Sequence, residues 1–165
     1  MNNELERYLN DHLAGSCGAV SLIQDLADRQ EVETECDFFL QLKASVEGDQ
    51  ALLKRLLEQG GMEPSETLQI AGKLTAKAGR LKLLWEGLKP GELGMLEALE
   101  VLALGIQGKR LLWLMLGEIA PQIPGWRDVN FAELELEAIR QRDAVEDRRI
   151  DAGRESLTAF AAREA

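Results

Sequence analysis

Apolar residues recur every three to four positions along almost the whole chain, and only clusters of Pro and Gly interrupt them. That period lines one face of an α-helix, whereas a half-buried strand alternates every second residue. No strand-like alternation is present, so the fold class is all-α, with five long helices. The first covers about 3 to 29, with Leu5, Leu9, His12, Ser16, Ala19, Ile23 and Leu26 on one stripe. The second covers about 33 to 59, with Phe39, Leu42, Val46, Asp49, Leu53 and Leu56 facing inward. Gly60-Gly61 ends it, because glycine tolerates the positive φ found past a helix C-terminus. Pro64 opens the third helix, where a missing amide costs nothing. That helix reaches about Trp85, a fourth runs from Pro90 to about Glu118, and a fifth follows the break at Pro121, Pro124 and Gly125, from about Val129 to Ala162.

Short connections near Gln30-Glu31 and across 120 to 128 predict two antiparallel hairpins. The third helix, at about 1.5 Å per residue, is roughly as long as the second and can carry the chain back along the bundle. Two hairpins joined by a long crossover helix make a ferritin-like four-helix bundle. An up-and-down five-helix bundle uses the same elements and stays open as an alternative. Residues 1–165 form one such domain, large enough to bury roughly two thirds of the unfolded chain's surface.

The net charge of −10 repels phosphate backbones and anionic lipids, so neither nucleic acid nor a membrane is an expected partner. The longest apolar run, Leu111 to Leu116, is far short of the about 20 residues a membrane span needs. The acidic start Met1-Asn2-Asn3-Glu4 lacks a signal-peptide pattern, and the expected location is cytoplasmic. Cys17 and Cys36 have no metal or redox spacing and read as small core or boundary residues. The fourth helix is apolar around most of its circumference, including Leu99, Leu102, Leu104, Ile106, Leu111, Leu114 and Met115. Such a helix is either central or covered by another subunit, and a homodimer is expected. Glycines 15, 18, 105 and 108 each cost about 1 kcal/mol against Ala inside a helix, which points to close approach between packed helices.

Polar residues on the inward stripes are the candidate site. With a hairpin turn near residue 31, His12 lies level with about residue 50 and so beside Asp49, and an imidazole can partner a buried carboxylate. The second hairpin sets Gln107 level with Arg142 and Glu100 level with Arg149. His12, Asp49, Gln107, Arg110 and Arg142 then form a candidate internal polar cluster near mid-bundle. Buried pairs of this kind more often fix register than do chemistry, and that role is preferred here.

Asn10-Asp11-His12-Leu13-Ala14-Gly15, Arg80-Leu81-Lys82, and Gly108-Lys109-Arg110 followed by Leu112-Trp113 resemble a group of uncharacterised bacterial helical proteins regarded as ferritin-like. The resemblance runs loosely over residues 5 to 115 and implies that fold, with no established activity. A ferritin-like di-iron site takes a Glu from each of two helices and a Glu-x-x-His from each of the other two. This chain has one histidine, so the usual ligand set is missing and no cofactor is expected. A second, carboxylate-rich metal set would combine His12, Glu47, Asp49, Glu97 and Glu100. No phosphate-binding glycine loop occurs, and Ser16, Cys17 and His12 assemble no nucleophile–His–acid set. The expected role is a non-enzymatic, homo-oligomeric helical scaffold or interaction protein. The alternative is a ferritin-like metal or small-ligand binder with a degenerate carboxylate/His site in the bundle core.

Overall fold

The helix boundaries follow from local chemistry that the apolar period alone does not carry. The computed structural model describes residues 3–70 and 87–158. They form α1 (Asn3–Asp28), α2 (Glu33–Gln59), α3 (Leu93–Ile119) and α4 (Phe131–Thr158), with short 3-10 turns at Ala120–Gln122 and Pro124–Trp126 and no strand among the described residues. Among the described residues the chain is an all-helical bundle of four long helices and the first turn of a fifth. The remaining helix begins at 66–70; its expected course to Trp85, and that of the last helix to Ala162, lie outside the described residues.

α2 ends in a Schellman motif. Gly61 has φ +70, its N–H donates to the Glu58 carbonyl at 3.0 Å, and the Met62 N–H donates to the Leu57 carbonyl at 2.9 Å. α3 begins at Leu93 rather than at Pro90. Gly87 and Gly91 stand at φ +82 and +83, outside right-handed helical space, and the Glu92 carboxylate accepts the Lys89 N–H at 2.8 Å to close the turn between them. α4 begins at Phe131, because the Asn130 side chain accepts the Glu133 N–H at 3.1 Å and caps the helix there.

α1 pairs antiparallel with α2, and α3 with α4. The first hairpin is fixed by hydrogen bonds from Lys43 to Gln24 and from Gln50 to Ser16, both 2.9 Å. Ser16, not His12, is therefore level with Gln50, a shift of about one turn from the sequence expectation. In the second hairpin Arg142 donates to Gln107 at 2.8 Å and Arg149 to Glu100 at 3.4 Å, the pairs the sequence register gives.

The two hairpins dock so that α2 and α3 run parallel. Near the start of α2, Arg148 grips Glu35 with two bonds of 2.7 and 3.0 Å and covers the Phe38 ring at 3.4 Å. At the far end the buried indole of Trp126 donates to the Leu56 carbonyl at 2.9 Å. Both candidate topologies share this direction. Between the hairpins lies one core that includes Leu9, Leu13, Ile23, Leu26, Phe39, Leu56, Leu99, Leu102, Trp113 and Leu116. Each such side chain contributes about 1.5–3 kcal/mol by leaving water. The buried amide of Asn10 ties the chain leaving α2 to α1: it donates to the Glu6 and Glu63 carbonyls, both at 3.0 Å, and accepts the Ser65 N–H at 2.6 Å. Among the described residues no helix is long and apolar enough to cross a membrane.

Candidate functional site: a cavity between α1, α2 and α3

Toward mid-bundle the core does not close. A partly open cavity of about 470 Å³ lies where α1, α2 and α3 face each other. Its lining is mostly apolar: Ala19 from α1, Val46 and Leu53 from α2, Leu102, Ile106, Leu112 and Trp113 from α3. Tyr8, His12 and Ser16 of α1 add polar tips, and Asp49 and Gln50 of α2 stand opposite Lys109 of α3. Three glycines, 15, 105 and 108, complete the wall. A Cβ placed on any of them would meet nothing within 4 Å among the described residues. The expectation of close helix contact is therefore corrected for Gly15, Gly105 and Gly108, which border open space among the described residues.

The strongest electrostatic feature is an ion pair on the cavity wall. Lys109 Nζ donates to Asp49 Oδ2 at 2.6 Å and also to the Gln141 carbonyl oxygen. The two charged side chains are only 13% and 20% exposed, so the pair is shielded well beyond an ordinary surface bridge. Gln141 is itself buried and donates to Glu137 at 3.1 Å, which orients its carbonyl toward the lysine. Burial holds the Asp49 carboxyl above the usual carboxylate range, Lys109 opposes that shift, and the negative charge of Glu137 adds to it.

His12 stands edge-on to Tyr8, ring centroids 4.7 Å apart. Burial lowers its pKa, with Asp11 opposing, so the ring is neutral at pH 7. Burial likewise raises the Tyr8 phenol. Ser16 donates to the Leu13 carbonyl at 2.7 Å and accepts from Gln50, so both are engaged within the wall. The indole N–H of Trp113 is buried without a hydrogen-bond partner among the described residues.

The structure divides the five candidate site residues. His12 and Asp49 line the same cavity, but the close partner of Asp49 is Lys109. Gln107 and Arg142 bond each other on the α3/α4 seam, where Arg142 also meets Asp143 at 2.7 Å, and Arg110 pairs with Glu135 at 2.8 Å. None of these three lines the cavity. The carboxylate-rich metal set does not assemble: among the described residues no three His, Cys, Asp or Glu side chains are grouped to hold a metal. Glu47 faces Lys43 and Glu100 faces Arg149. Cys17 and Cys36 are both half-buried free thiols.

Sequence reasoning passed over Lys109, Gln141, Tyr8, Trp113 and the vacancy beside the glycines. A signal for part of this existed: Tyr8 precedes His12 by four residues, and Gly105, Gly108 and Leu112 continue one helical face. Two of the three motifs behind the ferritin-like resemblance meet here, since Asp11, His12 and Gly15 face Gly108, Lys109, Leu112 and Trp113 across the cavity. The third, Arg80-Leu81-Lys82, lies outside the described residues. Compared with models of protein families, with curated proteins and with solved structures, the chain finds no match.

Proposed function

We propose that this protein is a non-enzymatic binder of a small, largely apolar molecule, held in the cavity between α1, α2 and α3. The observation that carries this is a space of about 470 Å³ whose wall combines an apolar lining with a shielded ion pair. Small-molecule sites are concavities of roughly 300–1,000 Å³ with few, placed polar groups. Three helix-weakening glycines that border the space, with no neighbour to accommodate among the described residues, support the same reading. Of the two roles raised by the sequence, this is the ligand-binding one, without the metal.

The test uses N-phenyl-1-naphthylamine, a neutral dye that brightens in apolar surroundings. Saturable brightening is expected with the unaltered protein and is lost in Gly108→Leu, whose side chain enters the open space while the helix is retained by circular dichroism. Absence of saturable binding, or binding indifferent to Gly108→Leu, overturns the proposal.

A second reading, assembly with a second copy of the chain, is favoured by the outer face of α3. Val101, Leu104, Leu111 and Met115 are exposed there, Leu104 at 73%. Val101 and Met115 lie seven residues to either side of Gly108, and Leu104 and Leu111 lie four and three residues to either side. A two-fold axis at that glycine sets the Val101 end of one copy against the Met115 end of the other, as an isologous dimer requires. Light scattering on a Leu104→Glu variant tests it; an unaltered protein that is already monomeric at micromolar concentration removes it. Parallel α2 and α3 fit a ferritin-like bundle and an up-and-down bundle alike, and the net charge of −10 weighs against nucleic-acid partners.

A further inference from the structure

The charges around the cavity are not balanced, and the imbalance bears on what enters it. This step rests on the cavity being a ligand site. Asp49 has an ammonium at 2.6 Å, yet its carboxylate remains under-stabilised, because burial and nearby Glu137 outweigh Lys109. Lys109, by contrast, already donates to two oxygens. An incoming anion would compete with Asp49 for Lys109 and face Glu137 behind it. An incoming cation would meet a carboxylate short of positive charge.

The other ionisable groups point the same way. His12 is neutral at pH 7 and adds no positive charge. Asp11 lines the cavity, and Arg7 sits 3.8 Å from it with both side chains in water, where such a pair is largely screened. Arg140 is shared between Glu133 and Glu137, two acids for one base. Asp11, Asp49, Glu133 and Glu137 against Arg7, Lys109 and Arg140 leave the neighbourhood one charge negative. Tyr8 and Trp113 belong to the same lining, and aromatic rings attract cations at their faces by roughly 0.5–2 kcal/mol. The whole-chain charge of −10 raises the local concentration of cations over anions.

We propose that the cavity selects an apolar molecule bearing one protonated amine, with the amine seated at Asp49 and the apolar body along Leu102, Ile106 and Trp113. A body of about two fused rings is within the size class of the space.

Isothermal titration calorimetry at pH 7 with three matched probes tests this: 1-naphthylmethylamine as the cation, 1-naphthalenemethanol as the neutral form and 1-naphthoate as the anion. The amine is expected to bind about tenfold tighter than the alcohol, a difference on the scale of one partly desolvated charge contact, with naphthoate weakest. Asp49→Asn should bring amine and alcohol within about threefold of each other. Because that change strips Lys109 of its counter-charge, the double variant Asp49→Asn/Lys109→Met is measured beside it and must also lose the preference. An amine no tighter than the alcohol, a preference for naphthoate, or a preference that survives both variants overturns the proposal. So does an amine that fails to bind while N-phenyl-1-naphthylamine does, and in that case the binding reading stands. Failure of all four probes removes the binding reading as well.

Discussion

α3 has two unlike flanks. Toward α4 it is laced by long side chains: Arg110 to Glu135, Arg142 to Gln107 and Arg149 to Glu100 reach across the seam. At the end of that seam Gly117 lets the Phe131 side chain approach until an added Cβ would stand 3.2 Å from the Phe131 Cβ. Toward α1 the same helix presents Gly105 and Gly108 to open space. Glycine thus does opposite things on one helix, making room for a neighbour at position 117 and leaving room unfilled at 105 and 108. The contrast teaches that small residues in a helix do not by themselves signal close packing; what faces them decides.

The largest expected effect sharpens the closed side. Trp126→Ala removes a fully buried indole and the partner of the Leu56 carbonyl, and should cost about 3–5 kcal/mol in urea unfolding. A loss under about 1 kcal/mol would mean that the two hairpins are not joined there. Next, Lys109→Ala leaves Asp49 shielded and unpaired, for a cost of about 2 kcal/mol, whereas Arg149→Ala, which breaks a solvent-screened pair, should cost clearly less. Equal costs would erase the distinction between the cavity pair and the seam pairs. Smaller again, Gly15→Ala, Gly105→Ala and Gly108→Ala should each stabilise by about 0.5–1 kcal/mol, while Gly117→Ala should not. Matching shifts in Tm at all four positions would break the comparison outright.

The smallest effect is a pH slope. His12 titrates below its ordinary 6.5 when folded and at that value when unfolded, so between the two the unfolded chain binds more protons. The neutral ring's contribution is complete above 6.5 and is lost as pH falls through the window beneath it. Comparing urea midpoints of the protein and of His12→Gln from pH 7.5 down to 5 should show a steeper decline in the unaltered protein. Parallel curves would place the imidazole in water. Asp49 acts over a lower window with the opposite sense. Its folded pKa is raised above 3.8, so stability falls as pH climbs from 3.8 to the folded value.

The helices were legible because their period is strong and their breaks are chemical. α2 runs over the span the apolar stripe indicates, and Gly60-Gly61 closes it as expected. The start of α3 was less legible, since Pro90 is as suited to a turn as to a first helical residue, and two left-handed glycines settle the matter. The site was legible only in part. Lys109 and Arg110 are adjacent, about 100° apart around the helix, and one faces the cavity while the other faces α4. On a helix apolar nearly all round, no stripe tells the two directions apart, and Arg110 was the residue singled out. His12 and Asp49 share a cavity although the register was off by about a turn, because a space that long spans neighbouring levels. The emptiness itself has no signature in a one-dimensional pattern.

The nitrogen of Trp126 sits in the loop between α3 and α4, yet its acceptor is the carbonyl of Leu56, 70 positions earlier in the chain. Neither hairpin can complete that link alone. Indole emission is therefore a built-in clock for assembly: in a stopped-flow refolding trace, the change specific to this tryptophan dates the meeting of the two halves, whichever of them forms first.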